Sequence, residues 1–344
     1  MKIAHCIFSF NTGGAETMLI DIVNEQIKTQ QVSIIIINDS FQKDLIEQIA
    51  PKVQLVFIKR EPHNRSIFPI LKLNWILYKL HPDIIHVHNY MLPRIIFPFK
   101  KSKLFMTVHD LHIPLKHVNK KTNLIAISNA VRDDISLKGD YKTFTIPNGI
   151  NIERIEKRAC LSFNGKLRIV QVASLNAAKK GQDILIQALA LLKKRGIENI
   201  EISFIGTGKD EFELKELAKN LNVTEQVHFL GLKSRQYIYS HLKEFDLMCH
   251  PSRYEGFGLT VAEGVAAMLP VLVPAEGGPF EIIKQGELGY TFQSGNVEDC
   301  AAQIELIQKN YTEALTRTIP AYDHVLQNYS INRMVKDYLC AYNQ

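Results

Sequence analysis

The run His250-Pro251-Ser252-Arg253-Tyr254-Glu255-Gly256-Phe257-Gly258-Leu259-Thr260-Val261-Ala262-Glu263 decides how the chain is read. The segment before it, Asp246–Cys249, has the apolar character of a buried strand. From about Gly258 the pattern turns helical, with Leu259, Ala262, Val265 and Ala266 on one apolar face. Strand, glycine-rich turn and helix in succession make a β–α unit. Such units build parallel sheets covered by helices on both sides.

The same alternation runs outward in both directions. Upstream the apolar, β-branched runs are Ile3–Phe8, Val32–Asn38, Val53–Ile58, Asp83–His88, Leu104–His109, Leu124–Ile127 and Thr143–Ile146, with helical stretches at Ala15–Thr29 and Asn129–Leu137. The pattern restarts with Leu167–Val172, Ile200–Ile205, Val227–Leu230, Asp246–His250 and Pro270–Val273. The stretch Asp183–Arg195 carries Ile184, Leu185, Ala188, Leu189, Leu191 and Leu192 at helical spacing. Between the two runs lies Pro147-Asn148-Gly149 and then a polar stretch to Lys166. The expectation is an α/β chain of two Rossmann-like domains, 1–160 and 161–328, followed by a C-terminal segment 329–344. Ligands of open parallel sheets bind beyond the carboxyl ends of the strands. Residues just after strands are therefore the candidates for function.

Composition narrows the class. At 344 residues, 46% hydrophobic and 22% charged, the chain is an ordinary globular one and long enough for two domains. No apolar run approaches the ~20 residues of a membrane span. The N-terminal Met-Lys-Ile leads straight into an apolar strand without a signal-peptide layout, so the expected place is the cytoplasm. Cys6, Cys160, Cys249, Cys300 and Cys340 are scattered without a CxxC pair, which argues against structural zinc and disulfides. The net charge of +6 is uneven. Residues 1–165 hold 22 Lys and Arg against 14 Asp and Glu, residues 166–344 hold 19 against 21, and 59–121 alone holds 12 against 3. A basic half points to an anionic partner or a well-solvated basic face.

The motifs sharpen this. Glu255 stands in the turn before a helix and Glu263 inside that helix, with the helix-start amides of Gly258, Leu259 and Thr260 between them. Carboxylates accept hydrogen bonds from hydroxyls, and a helix N-terminus favours phosphate. A ligand with hydroxyls on either side of a phosphate fits that order. After the first strand, Gly13 and Gly14 let the backbone approach a ligand at another helix start, although no GxGxxG is present. His86 and His88 lie on one face of a strand, with no third metal ligand evident nearby in sequence.

Taken together, these residues resemble the retaining glycosyltransferases of family 4, which have the GT-B fold. Glu255 and Glu263 stand at that family's E-x7-E spacing, with glycine-aromatic-glycine after the first. Gly13-Gly14-Ala15-Glu16 resembles its N-terminal glycine loop. Asp83–Asn89 and Thr107–Asp110 resemble its two histidine-bearing strand ends, and Pro147-Asn148-Gly149-Ile150 its interdomain turn. Lys180-Gly181, Gly206-Thr207-Gly208, Phe229-Leu230-Gly231 and Gly277-Gly278-Pro279-Phe280-Glu281 follow in the family's order. The resemblance implies two Rossmann-like domains facing across a cleft, with the C-terminal segment crossing back as a helix. It implies catalytic roles for His109 and Glu255, ribose binding by Glu263, and diphosphate binding by Lys180 with the amides of Gly258, Leu259 and Thr260. Gly13 and Gly14 would line the donor from the other side. It also implies that no metal or cofactor is needed, the nucleotide sugar being a substrate.

The implied reaction moves a hexose or N-acetylhexosamine from a nucleoside diphosphate, UDP before GDP, with retention at the anomeric carbon. The expected acceptor is a hydroxyl of a lipid-linked or lipopolysaccharide glycan precursor. Lys100, Lys101 and Lys103 beside Ile95, Ile96, Phe97 and Phe99 suit an anionic membrane surface, giving a cytoplasmic protein peripheral on the membrane's inner face. Two positions depart from the pattern: Met268 stands where a glycine is common before Pro270, and Ser174 stands where the family carries an arginine, with Arg253 or Lys179 the candidate to replace it. A sugar-nucleotide epimerase and a silent sugar-nucleotide binder are the alternatives. Nucleic acid is not an expected partner, because the charge is the only feature that favours it.

Overall fold

The computed structural model describes residues 1–61, 66–159, 163 and 165–344. The chain divides into two compact units, Met1–Ile150 together with Ser330–Gln344, and Asn151–Tyr329. The 160/161 boundary read from the sequence, and Cys160 with it, lie outside the described residues.

The first unit holds seven parallel strands: β1 (Lys2–Ile7), β2 (Gln31–Asn38), β3 (Gln54–Arg60), β4 (Ile84–Val87), β5 (Lys103–Val108), β6 (Asn123–Ala126) and β7 (Thr143–Thr145). Their spatial order is β3-β2-β1-β4-β5-β6-β7. Ile34, Ile35, Ile36 and Ile37 of β2 are all buried, because helices cover both faces of the sheet. Leu19, Ile20 and Val23 of the helix Gly14–Gln26 join Ile34 and Ile36 in one core. Each such side chain contributes about 1.5–3 kcal/mol on burial.

The second unit repeats the plan with β8 (Leu167–Val172), β9 (Ile200–Ile205), β10 (Val227–Phe229), β11 (Leu247–Cys249), β12 (Val271–Pro274) and β13 (Tyr290–Phe292), in the order β10-β9-β8-β11-β12-β13. The helix Gln182–Lys194 buries Ile184, Leu185, Ala188, Leu189 and Leu192 in the core built on Leu167, Ile169, Ile200 and Ile202. Strand β13 is an addition to the sequence reading.

Both sheets wind outward from an inner strand one way and then cross to the other side. The order reverses between β1 and β4 in the first unit and between β8 and β11 in the second. Beyond the carboxyl ends at such a reversal the connecting loops part and leave a crevice. The C-terminal helix Ile331–Asn343 belongs to the first unit and packs on the helix Gly14–Gln26. Among the described residues, no helix is long and apolar enough to cross a membrane.

Candidate functional site

In the second unit, the loops leaving β8 and β11 meet at the sheet's reversal point. Gly181 makes the meeting possible. Its φ is +67°, and a Cβ there would stand 1.9 Å from the carbonyl oxygen of Pro251. Only glycine permits that approach, which carries Lys180, at the end of the short helix Ala177–Lys180, over to Glu255. The Lys180 ammonium and a Glu255 carboxylate oxygen form an ion pair, with both side chains only 16% exposed. The Glu255 Oε2 atom also lies 3.4 Å from Nε2 of His250. The same His250 nitrogen lies 2.8 Å from the Ser252 hydroxyl. Burial alone would raise the Glu255 carboxyl, but the His250 hydrogen bond and the Lys180 charge outweigh it and hold the group well below the usual carboxylate range. Burial lowers the His250 pKa, so this imidazole is neutral near pH 7.

A second pair of glycines fixes the Glu255 turn. A Cβ on Gly278 would stand 2.3 Å from the Phe257 Cα, so the chain at 277–279 wedges under residues 255–257. The Gly278 amide donates to the Glu255 carbonyl at 3.0 Å. This gives the Gly277-Gly278-Pro279 block a physical role as the floor of the turn. Gly258 follows in the left-handed region, and the helix Leu259–Ala266 starts directly after it. The first amide of the helix to find a partner is that of Val261, which donates to the Gly258 carbonyl at 2.9 Å, and the amides before it with the helix dipole favour an anion. Glu263 lies inside this helix, 8% exposed, and accepts a hydrogen bond from the Tyr239 hydroxyl at 3.2 Å. Tyr239 in turn accepts from Arg235 at 2.6 Å.

Of the two candidates to replace an arginine at position 174, Arg253 is engaged elsewhere. Arg253 makes a two-pronged contact with Asp183 at 2.8 and 2.7 Å and donates to the Ala177 carbonyl at 2.7 Å. Its guanidinium is a brace between the two loops, not a spare cation. Lys179 lies over the Tyr254 ring at 5.1 Å. Ser174 is exposed just beyond β8, and its carbonyl accepts from the Gln182 side chain at 3.0 Å.

In the first unit, Gly13 and Gly14 lie at the start of the helix following β1, and His109 lies just past β5. Sequence alone does not reveal what holds His109. The β1–β4 register sets His5 beside His86. A buried line of side chains then runs from Gln26 to His109. The Gln26 carbonyl oxygen is 2.8 Å from His5 Nε2, His5 Nδ1 is 3.0 Å from His88 Nε2, and His88 Nδ1 is 3.2 Å from His109 Nε2. With all three rings neutral and the Gln26 oxygen toward His5, every Nε2 donates and every Nδ1 accepts. The line then ends on the Nδ1 lone pair of His109. Burial lowers the pKa of His5 and of His109 to about 4, and takes His86 and His88 well below 6.5.

His5, His86 and His88 bring ligand-type nitrogens within 4.8 Å of one another, as a metal site would require. His86 is already bound at both nitrogens, 2.5 Å from the Tyr342 hydroxyl and 2.8 Å from the Thr107 hydroxyl. Its ring stacks on His88 with centroids 4.5 Å apart, and His5 and His88 are joined to each other and to Gln26 and His109. Hydrogen bonds account for these rings.

Comparison with known proteins gives the following. The family described as Glycosyltransferase Family 4 matches residues 12–154, and Glycosyl transferases group 1 matches 153–322. A poly(ribitol-phosphate) alpha-N-acetylglucosaminyltransferase of Staphylococcus aureus is 24% identical over 76% of this chain and 50% of its own length. An N-acetyl-alpha-D-glucosaminyl L-malate synthase of Bacillus anthracis is 24% identical over 76% of this chain and 74% of its own. The chain thus spans about half the length of the first of these relatives. Among solved structures, Anabaena HepE in complex with UDP and glucose superposes with a TM-score of 0.84 at 21% identity, covering 100% of both chains. At that identity the likeness speaks for the fold.

Proposed function

Since the chain belongs to the family 4-like glycosyltransferases of GT-B fold, we propose that it transfers a sugar from a nucleoside diphosphate, with retention, in the synthesis of a bacterial surface glycan. The donor in this reading is a UDP-linked hexose or N-acetylhexosamine, preferred to a GDP-sugar. The acceptor is a hydroxyl of a lipid-linked or lipopolysaccharide precursor, met in the cytoplasm at an anionic membrane surface. The observation that carries the reading is the cluster at the β8–β11 reversal. It combines a buried ionised carboxylate, a lysine and a helix N-terminus, with a second buried carboxylate on that helix.

Their chemistry divides naturally. When a sugar leaves a diphosphate, negative charge develops on the phosphate oxygens. Lys180 and the amides of Gly258, Leu259 and Thr260 stabilise that charge. Glu255, held ionised, accepts hydrogen bonds from donor-sugar hydroxyls, and Glu263 accepts them from the ribose. The Nδ1 lone pair of the neutral His109 accepts a hydrogen bond from a sugar hydroxyl without adding charge. The names of the two relatives support transfer of an N-acetylglucosaminyl group as one possibility for the donor. No metal is required by this set of residues, so chelation with EDTA leaves transfer unchanged in this reading.

A thermal-shift panel of nucleotide sugars tests the donor. A true donor at 100 times its dissociation constant stabilises the protein by about 2.7 kcal/mol. If UDP, GDP and their common sugars all leave the unfolding temperature unmoved, the donor reading is wrong. Product analysis with and without acceptor then separates transfer from epimerisation, and the anomeric configuration of the product decides retention.

Position 174 gives a second expectation. Arg253 is committed to Asp183, and Lys179 lies over the Tyr254 ring. Arginine at 174 adds a charge-assisted contact, worth roughly 1.5–3 kcal/mol. Ser174→Arg should therefore tighten UDP binding about tenfold or more. Titration calorimetry of UDP against both proteins measures it. Equal affinities would take position 174 out of the diphosphate subsite.

A further inference from the structure

The helix Phe68–Leu80 presents two apolar faces, and only one is covered. Leu73, Ile76 and Leu77 point into the first unit. On the other side Phe68 is 75% exposed, Trp75 59% and Tyr78 58%, with Ile67 and Leu71 beside them. At about 100° per residue these five side chains share an arc of roughly a quarter of the helix circumference. Asn74 borders the arc. Its side chain donates to the Ile95 carbonyl at 2.8 Å and accepts from the Phe97 amide at 2.6 Å. This clasp adds Phe97, itself half exposed, to the patch. Solvent alone rarely faces so many large apolar groups in one place.

Charge identifies what covers it. Lys72 and Lys79 emerge along one edge of the arc, and Lys79 lies 5.7 Å over the Trp75 ring. Exposed Arg94, Lys100 and Lys101 stand on the loop that the Asn74 clasp ties to the other edge. Residues 66–103 hold six Lys and Arg and a single acid, Asp83. That acid is engaged by the Lys2 amide at 2.8 Å. Tryptophan and tyrosine with an apolar body and a wet tip, ringed by cations, match the boundary between lipid headgroups and acyl chains.

We propose that this outer face of the helix Phe68–Leu80 lies in the headgroup layer of an anionic bilayer. Trp75, Phe68 and Leu71 enter the lipid, and the surrounding lysines meet the anionic headgroups. The proposal deepens the reading of a lipid-linked acceptor and rests on it. It also moves the contact from the Lys100–Lys103 stretch to the helix. Lys103 belongs to β5, where its ammonium donates to the Tyr342 carbonyl at 3.2 Å.

Trp75 is the only tryptophan in the chain, so its emission reports on the patch without labelling. The experiment adds vesicles of phosphatidylcholine with 30% phosphatidylglycerol, and vesicles of phosphatidylcholine alone, to the full protein. The expected result is a blue shift of emission and co-flotation with the anionic vesicles, both weakening as salt screens the charge. Phe68→Ser/Leu71→Ser should reduce partitioning at least tenfold with an unchanged unfolding temperature, because both side chains are exposed. Lys100→Gln/Lys101→Gln should reduce it less. Three outcomes overturn the proposal. One is flotation without an emission shift. Another is no binding to either vesicle. The third is a blue shift that grows with protein concentration in the absence of lipid, which would assign the face to a second copy of the chain. None of these arms uses donor or acceptor, so the proposal can fail while sugar transfer stands. Transfer can likewise fail while the vesicle result holds.

Discussion

Glu255→Gln should lower turnover at least a hundredfold while UDP still binds. Glutamine keeps the shape but loses the charge that makes Glu255 a strong acceptor for sugar hydroxyls. Losing one preorganised electrostatic contact in an active site costs about 10²–10³ in rate. Binding of the bare nucleotide goes the other way. In the free protein the Lys180 ammonium is held by Glu255, and a phosphate must compete with that carboxylate. With glutamine the lysine is released, so UDP affinity should hold or rise. A fall in turnover with equal or tighter UDP binding, and an unfolding temperature within a few degrees, is the expected combination. Turnover above about a tenth of the parent would remove Glu255 from the chemistry. Loss of UDP binding would mean that the turn itself collapses.

The first unit should be acid-labile. Three of its histidines, His5, His86 and His88, are buried and His109 is partly so, with pKa values of about 4 for His5 and His109 and well below 6.5 for the other two. In the unfolded chain each takes up a proton near pH 6.5. Between pH 6.5 and about 4 the unfolded state therefore binds more protons, and stability falls as pH falls. Each group contributes up to about 1.4 kcal/mol per pH unit in that window. Four together approach roughly 5 kcal/mol per unit, against a total of about 5–15 kcal/mol for a typical protein. Amide exchange followed from pH 7.5 to 4.5 should show β1, β4 and β5 losing protection near pH 5. The β8 and β9 strands of the second unit should hold to lower pH. Equal stability of β1 and β4 at pH 7.5 and pH 5 would mean that these imidazoles accept protons in the folded state, and the hydrogen-bonded line would be wrong.

Much of this was legible in the sequence wherever a local pattern decides the structure. The Val32–Ile37 run announces a strand covered on both faces, and Asp183–Arg195 shows its buried stripe at helical spacing. The turn Glu255-Gly256-Phe257-Gly258 and the spacing to Glu263 placed two carboxylates around a helix start. Where partners are distant, the sequence is silent. His5 stands 81 residues from His86, and only the parallel register brings the two rings together. Asp183 claims Arg253 across 70 residues, which no spacing rule foretells. The helix Phe68–Leu80 hides for a different reason. A segment apolar on its inner and its outer face has no amphipathic period to detect. Strand β13 hides because its three residues lie between Gly289 and Gly295, in a glycine-punctuated stretch that reads as turn.

The return of the C-terminal helix has a consequence for how the protein is made. Residues Ser330–Gln344 complete the first unit, while the second unit, Asn151–Tyr329, is continuous in the chain. The Tyr342 hydroxyl that meets His86, and the Tyr338 hydroxyl 3.3 Å from Thr107, emerge only after the whole of the second unit. At about 5–20 residues per second the second unit takes roughly 10–40 s to synthesise. Throughout that interval the first sheet waits on the nascent chain with polar side chains of β4 and β5 unmatched. The second unit is thus the one that can finish folding first, although it is translated later, and the first closes only once residues 330–344 have emerged. A ribosome stalled before residue 330 should display a protease-resistant second unit and a protease-sensitive first one.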